Sequence, residues 1–211
     1  MSLKQRRKLA AAPERKFLKL DLGCGPHPRE GFEGVDSRNF GQPWQCDLAT
    51  TPWRLTRFAT MKGQSEAYPV SGVEPLGDGS VEEVHCSHFL EHLTGPQRIH
   101  FVNELHRVLV PGGKCMVVTP HWASNRAYGD LTHQWPPVSE MWFYYLNAEW
   151  RAANAPHNDF YRCDFEATWG YALHPELTQR NQEYQMHALS FWKEAAQDII
   201  ATLTKKIVIK H

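Results

Sequence analysis

Long apolar runs are missing from this chain of 211 residues, and no stretch approaches the ~20 consecutive apolar positions that a membrane-crossing helix needs. The basic start, Lys4, Arg6, Arg7 and Lys8, is not followed by an apolar segment, so the sequence reads as cytoplasmic and without a secretion signal. Net charge is missing too, because 23 Lys and Arg balance 23 Asp and Glu. That removes the broad basic surface by which proteins hold nucleic acids or anionic membranes, and the basic start reads as a solvated terminus. Paired cysteines are also absent. Cys24, Cys46, Cys86, Cys115 and Cys163 are odd in number and contain no CxxC, which fits free thiols better than a disulfide framework or a zinc knuckle. There is no internal repeat and no low-complexity segment.

What remains is a globular composition, with 42% hydrophobic and 22% charged residues, and a length suited to one domain. Phe17–Leu22 reads as a strand ended by Gly23-Cys-Gly25-Pro26, with short strands near Gly34–Asp36 and Trp44–Asp47. Residues 52–79 read as a loop or irregular insertion, and Val81–Cys86 as a fourth strand. Pro96 opens a helix whose buried face is Ile99, Val102, Leu105, Val108 and Leu109, stopped by Pro111-Gly112-Gly113. Lys114–Thr119 follows as a fifth strand. This alternation favours a parallel sheet with helical crossovers. Beyond His121 the composition shifts to aromatics, with Trp122, Trp135, Trp142, Trp150, Trp169 and Trp192. Another strand is expected within 160–173, a long helix over Arg180–Leu203 and a last strand over Lys206–Ile209.

The central signal is Leu20-Asp-Leu-Gly-Cys-Gly-Pro26. A strand running into two close glycines makes a tight turn that a ligand can approach at the carboxyl edge of a sheet. Asp36 ends the second strand, where a carboxylate can accept both hydroxyl protons of a ribose. Asp47 follows the third strand, within reach of an adenine amino group. Cys86-Ser-His88 ends the fourth strand on the same edge. A dinucleotide dehydrogenase would place a third small residue where Pro28 stands, and its acid would come later than Asp36. A ligand without a pyrophosphate fits better, and a nicotinamide-dependent reductase becomes the weaker reading.

As an ordered set, Asp-Leu-Gly-Cys-Gly-Pro26, Gly-Val-Asp36, Cys-Asp-Leu48, Asp78–Leu93 and Arg107-Val-Leu-Val-Pro-Gly-Gly113 resemble the class I methyltransferases that use S-adenosylmethionine (SAM). The Gly31-Phe-Glu-Gly-Val-Asp36 spacing is similar to small stand-alone methyltransferases of phages and bacteria. The resemblance implies an α/β, Rossmann-like, doubly wound, mostly parallel seven-stranded sheet with a C-terminal substrate cap. One domain, 1–211, would comprise a SAM-binding core over about 17–120, a cap over about 121–165, and the end of the sheet with a long helix over about 166–211. Asp21, Gly23, Cys24 and Gly25 would line the methionine side of SAM, Asp36 the ribose and Asp47 the adenine, with Ser87 and His88 beside them.

The implied chemistry is methyl transfer to an oxygen or nitrogen acceptor, releasing S-adenosylhomocysteine. A binding or regulatory protein of the same fold that has lost catalysis is the reading from another class. The sulfonium is already a strong electrophile, so the protein needs only to align the acceptor and, where required, take a proton. His121 after the fifth strand, Asp130 with His133, and His88 are the candidate groups. His85, Cys86, His88 and His92 suggest a metal, but the spacing matches no zinc protease motif and no second ligand cluster is evident, so no metal is expected. The fourth strand is not followed by Asn/Asp-Pro-Pro-Tyr, which lowers a DNA target and favours a small molecule or a sugar as acceptor. Trp142-Phe-Tyr-Tyr145 with Trp135 and Trp150 reads as packing within the cap or as a homodimer face, ahead of a stacking platform.

Overall fold

The structure is a computed structural model and describes residues 17–49, 52–60, 67–69 and 74–207. In chain order the strands are β1 (Leu18–Leu22), β2 (Glu33–Asp36), β3 (Trp44–Gln45), β4 (Arg54–Thr60), β5 (Ala67–Pro69), β6 (Glu74–Pro75), β7 (Val81–Ser87), β8 (Leu109–Pro120), β9 (Phe165–Leu173) and β10 (Ala196–Lys205). The helices are α1 (Gly95–Val108), α2 (Arg126–Gly129), α3 (Glu140–Tyr144), α4 (Ala148–Asn154) and α5 (Gln182–Phe191). The sheet runs β5-β4-β3-β2-β1-β7-β8-β10-β9, with β6 paired to β4. From β3 to β8 every pairing is parallel, and β10 runs antiparallel to both β8 and β9. Seven strands from β3 to β9 thus form the expected mostly parallel sheet with one reversed member, and β4, β5 and β6 extend its edge.

β7, the later part of β8 and Ile199–Thr204 of β10 alternate between a covered and an open face, as the period-2 geometry of a strand requires. Leu20, Leu22, Val84, Cys86, Cys115, Val117, Ala201 and Leu203 are buried on one face, in a single core with Phe101, Val102, Leu105 and Val108 of α1. On the other face Met116 and Ile200 remain 36% and 39% exposed, and Lys19 pairs with Glu83 at 2.8 Å. Among the described residues no helix lies between β1 and β2 or between β2 and β3; turns make both connections.

The segment expected to be a loop over 52–79 contributes β4–β6, and its ends are fastened to α1. Trp53 is fully buried against Phe101 at 5.2 Å between ring centroids, and its backbone N–H donates to Glu104 Oε2 at 2.8 Å. Arg107 donates to both oxygens of Glu104, to Leu76 O at 2.6 Å and to Asp78 Oδ1 at 2.8 Å. A local sequence window cannot show this, because the partners lie on a helix 29 to 51 residues downstream.

Two further expectations are revised. The helix ends at Val108, so Pro111-Gly112-Gly113 does not stop it; those residues form a bulge in β8, where two steps of β7 oppose five of β8. The long helix over Arg180–Leu203 is a helix and a strand. Asn181 caps α5 by accepting from Tyr184 N, and the chain turns at Glu194, φ +61°. Ile199, Ala201 and Leu203 then alternate with Ile200, Thr202 and Thr204 in β10, a β-branched run that packs better on a pleated surface than on a helix. Of the strand expected over Lys206–Ile209, Lys206 and Ile207 lie past the end of β10 and in no strand, and 208–209 lie outside the described residues. Residues of the expected cap pack back onto the main core: Val138, Phe143, Leu146 and Cys163 all belong to it. Among the described residues no helix is long and apolar enough to cross a membrane.

Burial pushes the Glu104 carboxyl up, but the hydrogen bonds from Arg107 and Trp53 N–H outweigh it, and the group lies below its ordinary value. Its folded value is therefore depressed relative to the unfolded chain, so its stabilisation is present above the ordinary carboxyl range of about 4 and is lost as pH falls through the lower folded value. Glu104→Gln should cost about 2 kcal/mol at pH 7 by urea unfolding, and the gap to wild type should shrink as the pH is lowered below about 4. A gap independent of pH would mean that the charge of Glu104 contributes nothing.

Candidate functional site

β1 delivers its carboxyl end into the glycine turn, where Gly23 and Gly25 take φ of +69° and +55°. A Cβ on Gly23 would meet the Phe89 ring at 2.4 Å, so both the backbone angle and the space require glycine. The turn lies across the end of β2: Gly23 N and Cys24 N donate to Val35 O at 2.8 and 3.2 Å. Gly34 in β2 admits this approach, since a Cβ there would meet Cys24 Sγ at 2.8 Å.

Two carboxylates grip the turn. Asp36 Oδ2 accepts from Gly25 N at 3.0 Å and Oδ1 from Arg38 N at 3.0 Å. Asp21, only 3% exposed, accepts from Arg29 N at 2.7 Å and from His85 Nδ1 at 2.7 Å. Each carboxylate oxygen has two acceptor positions, so Asp36 keeps capacity for ligand hydroxyls. Beyond Gly25 the cradle is open, with no atom within 4 Å of a built Cβ. Burial, then the neighbouring Asp21 and Asp36, push the Cys24 thiol up to about 12, so it sits there as a neutral thiol.

β7 ends beside the turn. Ser87 closes the strand, and His88, at φ +53°, donates its N–H to Val118 O at 2.9 Å. His88 Nδ1 lies 3.2 Å from Glu91 Oε1, and that hydrogen bond holds the imidazole pKa above its ordinary value. Asp21, Gly23, Cys24, Gly25, Asp36, Ser87 and His88 are thus gathered at the carboxyl ends of β1, β2 and β7. Asp47 follows β3 and is exposed; its Oδ1 accepts from Ala49 N at 2.9 Å, a turn cap.

A second cluster stands past His88, on the short 3-10 turn Leu90–His92 and on the segment after α2. Glu91 is 5% exposed, and its Oε2 lies 3.4 Å from Thr119 Oγ1. The His92 and His133 rings meet edge-on at 4.8 Å. Arg98 fixes this pairing: its buried guanidinium donates to Leu90 O at 2.9 Å, Gln134 O at 3.2 Å and Pro136 O at 2.5 Å. Asp130 and His133, 4.0 Å apart, therefore stand beside Glu91 and His92. His121 does not join them. It is 1% exposed, its Nδ1 accepts from Ala123 N at 3.2 Å, and its Nε2 donates to Glu140 Oε1 at 3.1 Å. Burial alone would raise the Glu140 carboxyl, but the His121 hydrogen bond prevails and it lies below its ordinary value.

The sequence reading missed His85 as the partner of Asp21, and Arg98 and Thr132 as supports. The signal for His85 is register: Asp21 and His85 are directly paired across β1 and β7, on the same face. The aromatic run packs, with Phe143 stacked on Trp169 at 5.6 Å and Tyr145 tilted against Trp150 at 5.0 Å. A shallow groove of about 500 Å³ beside it is lined by Tyr144, Trp150 and Trp169.

Residues 20–117 match the family model described as a methyltransferase domain. Over those residues, a little under half of the chain, it is similar to a methyltransferase domain. The strand order is that of the Rossmann-like methyltransferase fold. A SAM-dependent methyltransferase from Archaeoglobus fulgidus is similar in fold, at TM-score 0.57 and 17% identity, over 90% of this chain and 87% of that one. Another, from Methanosarcina mazei, is similar at TM-score 0.51 and 12% identity, over 92% and 95%. No curated protein matches the chain.

Gly23→Ala places a Cβ into the Phe89 ring on a left-handed backbone. It should lower stability by about 2 kcal/mol and weaken SAM binding by tenfold or more. Thermal unfolding and calorimetry check the two effects separately, and unchanged values in both would remove the requirement for glycine.

Proposed function

We propose that this chain transfers the methyl group of SAM to an oxygen or nitrogen acceptor and releases S-adenosylhomocysteine. The observation that carries the reading is a glycine turn held at both ends by carboxylates and followed by no helix. A pyrophosphate would want a helix N-terminus after that turn, whereas the zwitterionic methionine end and the ribose of SAM need only backbone polar groups and a carboxylate. Gly23 and Gly25 lie against the methionyl part in this reading. Asp36 takes the ribose hydroxyls while keeping Gly25 N, and Asp47 lies on the adenine side.

The acceptor enters past Ser87 and His88, on the side where His133 and Asp130 meet Glu91 and His92. Its nucleophilic atom attacks in line with the carbon–sulfur bond. Holding the two reactants in that alignment is the main contribution asked of the protein. His121 supports Glu140 and the aromatic wall, because both of its ring nitrogens are engaged internally. A small molecule or a sugar suits the balanced net charge better than a nucleic acid.

Calorimetric titration with SAM and with S-adenosylhomocysteine tests the cofactor site. Wild type should bind both, and Asp36→Ala should weaken binding at least tenfold, about 1.4 kcal/mol. Asp36→Asn keeps an acceptor for Gly25 N and should fall between the two. A folded wild type that binds neither ligand would end this reading.

A further inference from the structure

The sequence spacing gave no reason to expect a metal, yet the fold assembles a ligand set that spacing cannot show. Glu91 and His92 come from the turn after β7, and His133 arrives from about 40 residues downstream. One donor atom from each lies within 4.8 Å of the other two. Three ligands around a cation with bonds of about 2.1 Å stand about 3.4 Å apart, a separation that small side-chain rotations reach from here.

The hydrogen bonds around the two histidines decide which nitrogen is free. Thr132 Oγ1 donates to Asp130 Oδ1 at 2.7 Å, so it accepts at 2.9 Å from His92 Nδ1, which must carry the proton. His133 Nδ1 faces Ala127 O at 3.3 Å, and a carbonyl only accepts, so that nitrogen is protonated as well. Both imidazoles are thereby held as the tautomer with a lone pair on Nε2. Outer-shell acceptors that fix a ligand histidine in this way are the usual companions of metal-binding imidazoles. Glu91 is buried, and its contacts to His88 and Thr119, at 3.2 and 3.4 Å, leave acceptor positions on both oxygens. Arg98 locks the segment carrying His133 against the turn carrying the other two.

We propose that Glu91, His92 and His133 bind one divalent transition cation, with open positions that receive the acceptor through a hydroxyl oxygen. Two imidazoles and one carboxylate suit Zn²⁺, Mn²⁺ or Co²⁺ better than the all-oxygen shells of Ca²⁺ or Mg²⁺. The acceptor part rests on the methyltransferase reading above and narrows it from oxygen or nitrogen to oxygen. A cation lowers the pKa of a bound hydroxyl and makes it a nucleophile, whereas it would occupy the lone pair that an amine needs for attack. The coordinated hydroxyl gives its proton to solvent water, and its oxygen bonds to the methyl carbon. The carbon–sulfur bond breaks with its electron pair going to sulfur, and the methyl ether and S-adenosylhomocysteine leave. His133 is then a ligand, and Asp130 acts through Thr132 to position His92.

The test uses the full chain, stripped with chelator and desalted, titrated with Zn²⁺, Mn²⁺ and Co²⁺ by calorimetry, with Co²⁺ absorption as a second readout. At least one cation should bind at one per chain. His133→Ala and His92→Gln should each weaken it tenfold or more, with the S-adenosylhomocysteine affinity and the circular dichroism spectrum unchanged. His187→Ala, on the exposed side of α5, should change nothing. Azide, which occupies open coordination positions, should shift the Co²⁺ bands. No binding of any of the three cations, or binding unaltered in His133→Ala, overturns the site. Co²⁺ bands that azide leaves unmoved overturn the acceptor role. Failure of wild type to bind S-adenosylhomocysteine while it binds the cation would end the methyltransferase reading and leave the metal site standing.

Discussion

Asp21 and Asp36 grip a glycine turn that has no helix behind it, and the arrangement of the candidate site depends on that grip. In an ordinary strand–turn–helix unit, the helix that follows the glycines packs on the sheet and sets the path of the turn. Here the chain from Gly23 to Phe32 carries no helix, so carboxylates do that work from the two strand ends. Burying Asp21 is costly unless its oxygens are satisfied, and the Arg29 N–H and the His85 ring satisfy both. The same residues therefore fix the turn and remain beside the ligand that the turn would receive. Phe89 fills the space left by the missing Cβ of Gly23 and couples the turn to the end of β7.

The second fixed point is Arg98. Its buried guanidinium spreads its charge over three backbone carbonyls, and burial lowers its pKa. Those carbonyls belong to the turn after β7 and to the chain that follows α2. One side chain on the covered face of α1 thus determines that His133 stands against His92. The third anchor, Glu104 with Arg107, lies on the same helix and ties down the insertion between β3 and β7. α1 is in this sense the organising helix of the domain. Its apolar residues fill the core, and its two arginines and one glutamate place three separate segments.

The sheet also has an unequal pair of faces. The face under α1 carries the core, while the other shows Lys19, Glu83, Lys114 and Met116 to solvent. Strand alternation encodes this split residue by residue, which is why the polar positions of β7 and β8 fall in register with those of β1 and β10.

Much of this was written locally. The strand into Gly23-Cys-Gly25, the acid at Asp36 and the helix opened by Pro96 were legible because each rests on backbone preference or on a short hydrophobic period. The cofactor edge followed, since strand ends in a parallel sheet share one side. Tertiary contact decided the rest. The segment over 52–79 looked like a loop because its strands gain their stability from Glu104 and Arg107, far along the chain. Arg180–Leu203 read as one helix because apolar residues without neighbours satisfy either period; pairing with β8 and β9 selects the strand. His121, His133 and Asp130 looked alike as isolated polar residues. The sequence by itself determined the sheet, the glycine turn and the acid beside it. Only the folded chain decided that His121 is held by Glu140 while His133 meets Glu91 and His92, because hydrogen bonds between residues 19 and 40 apart leave no local trace.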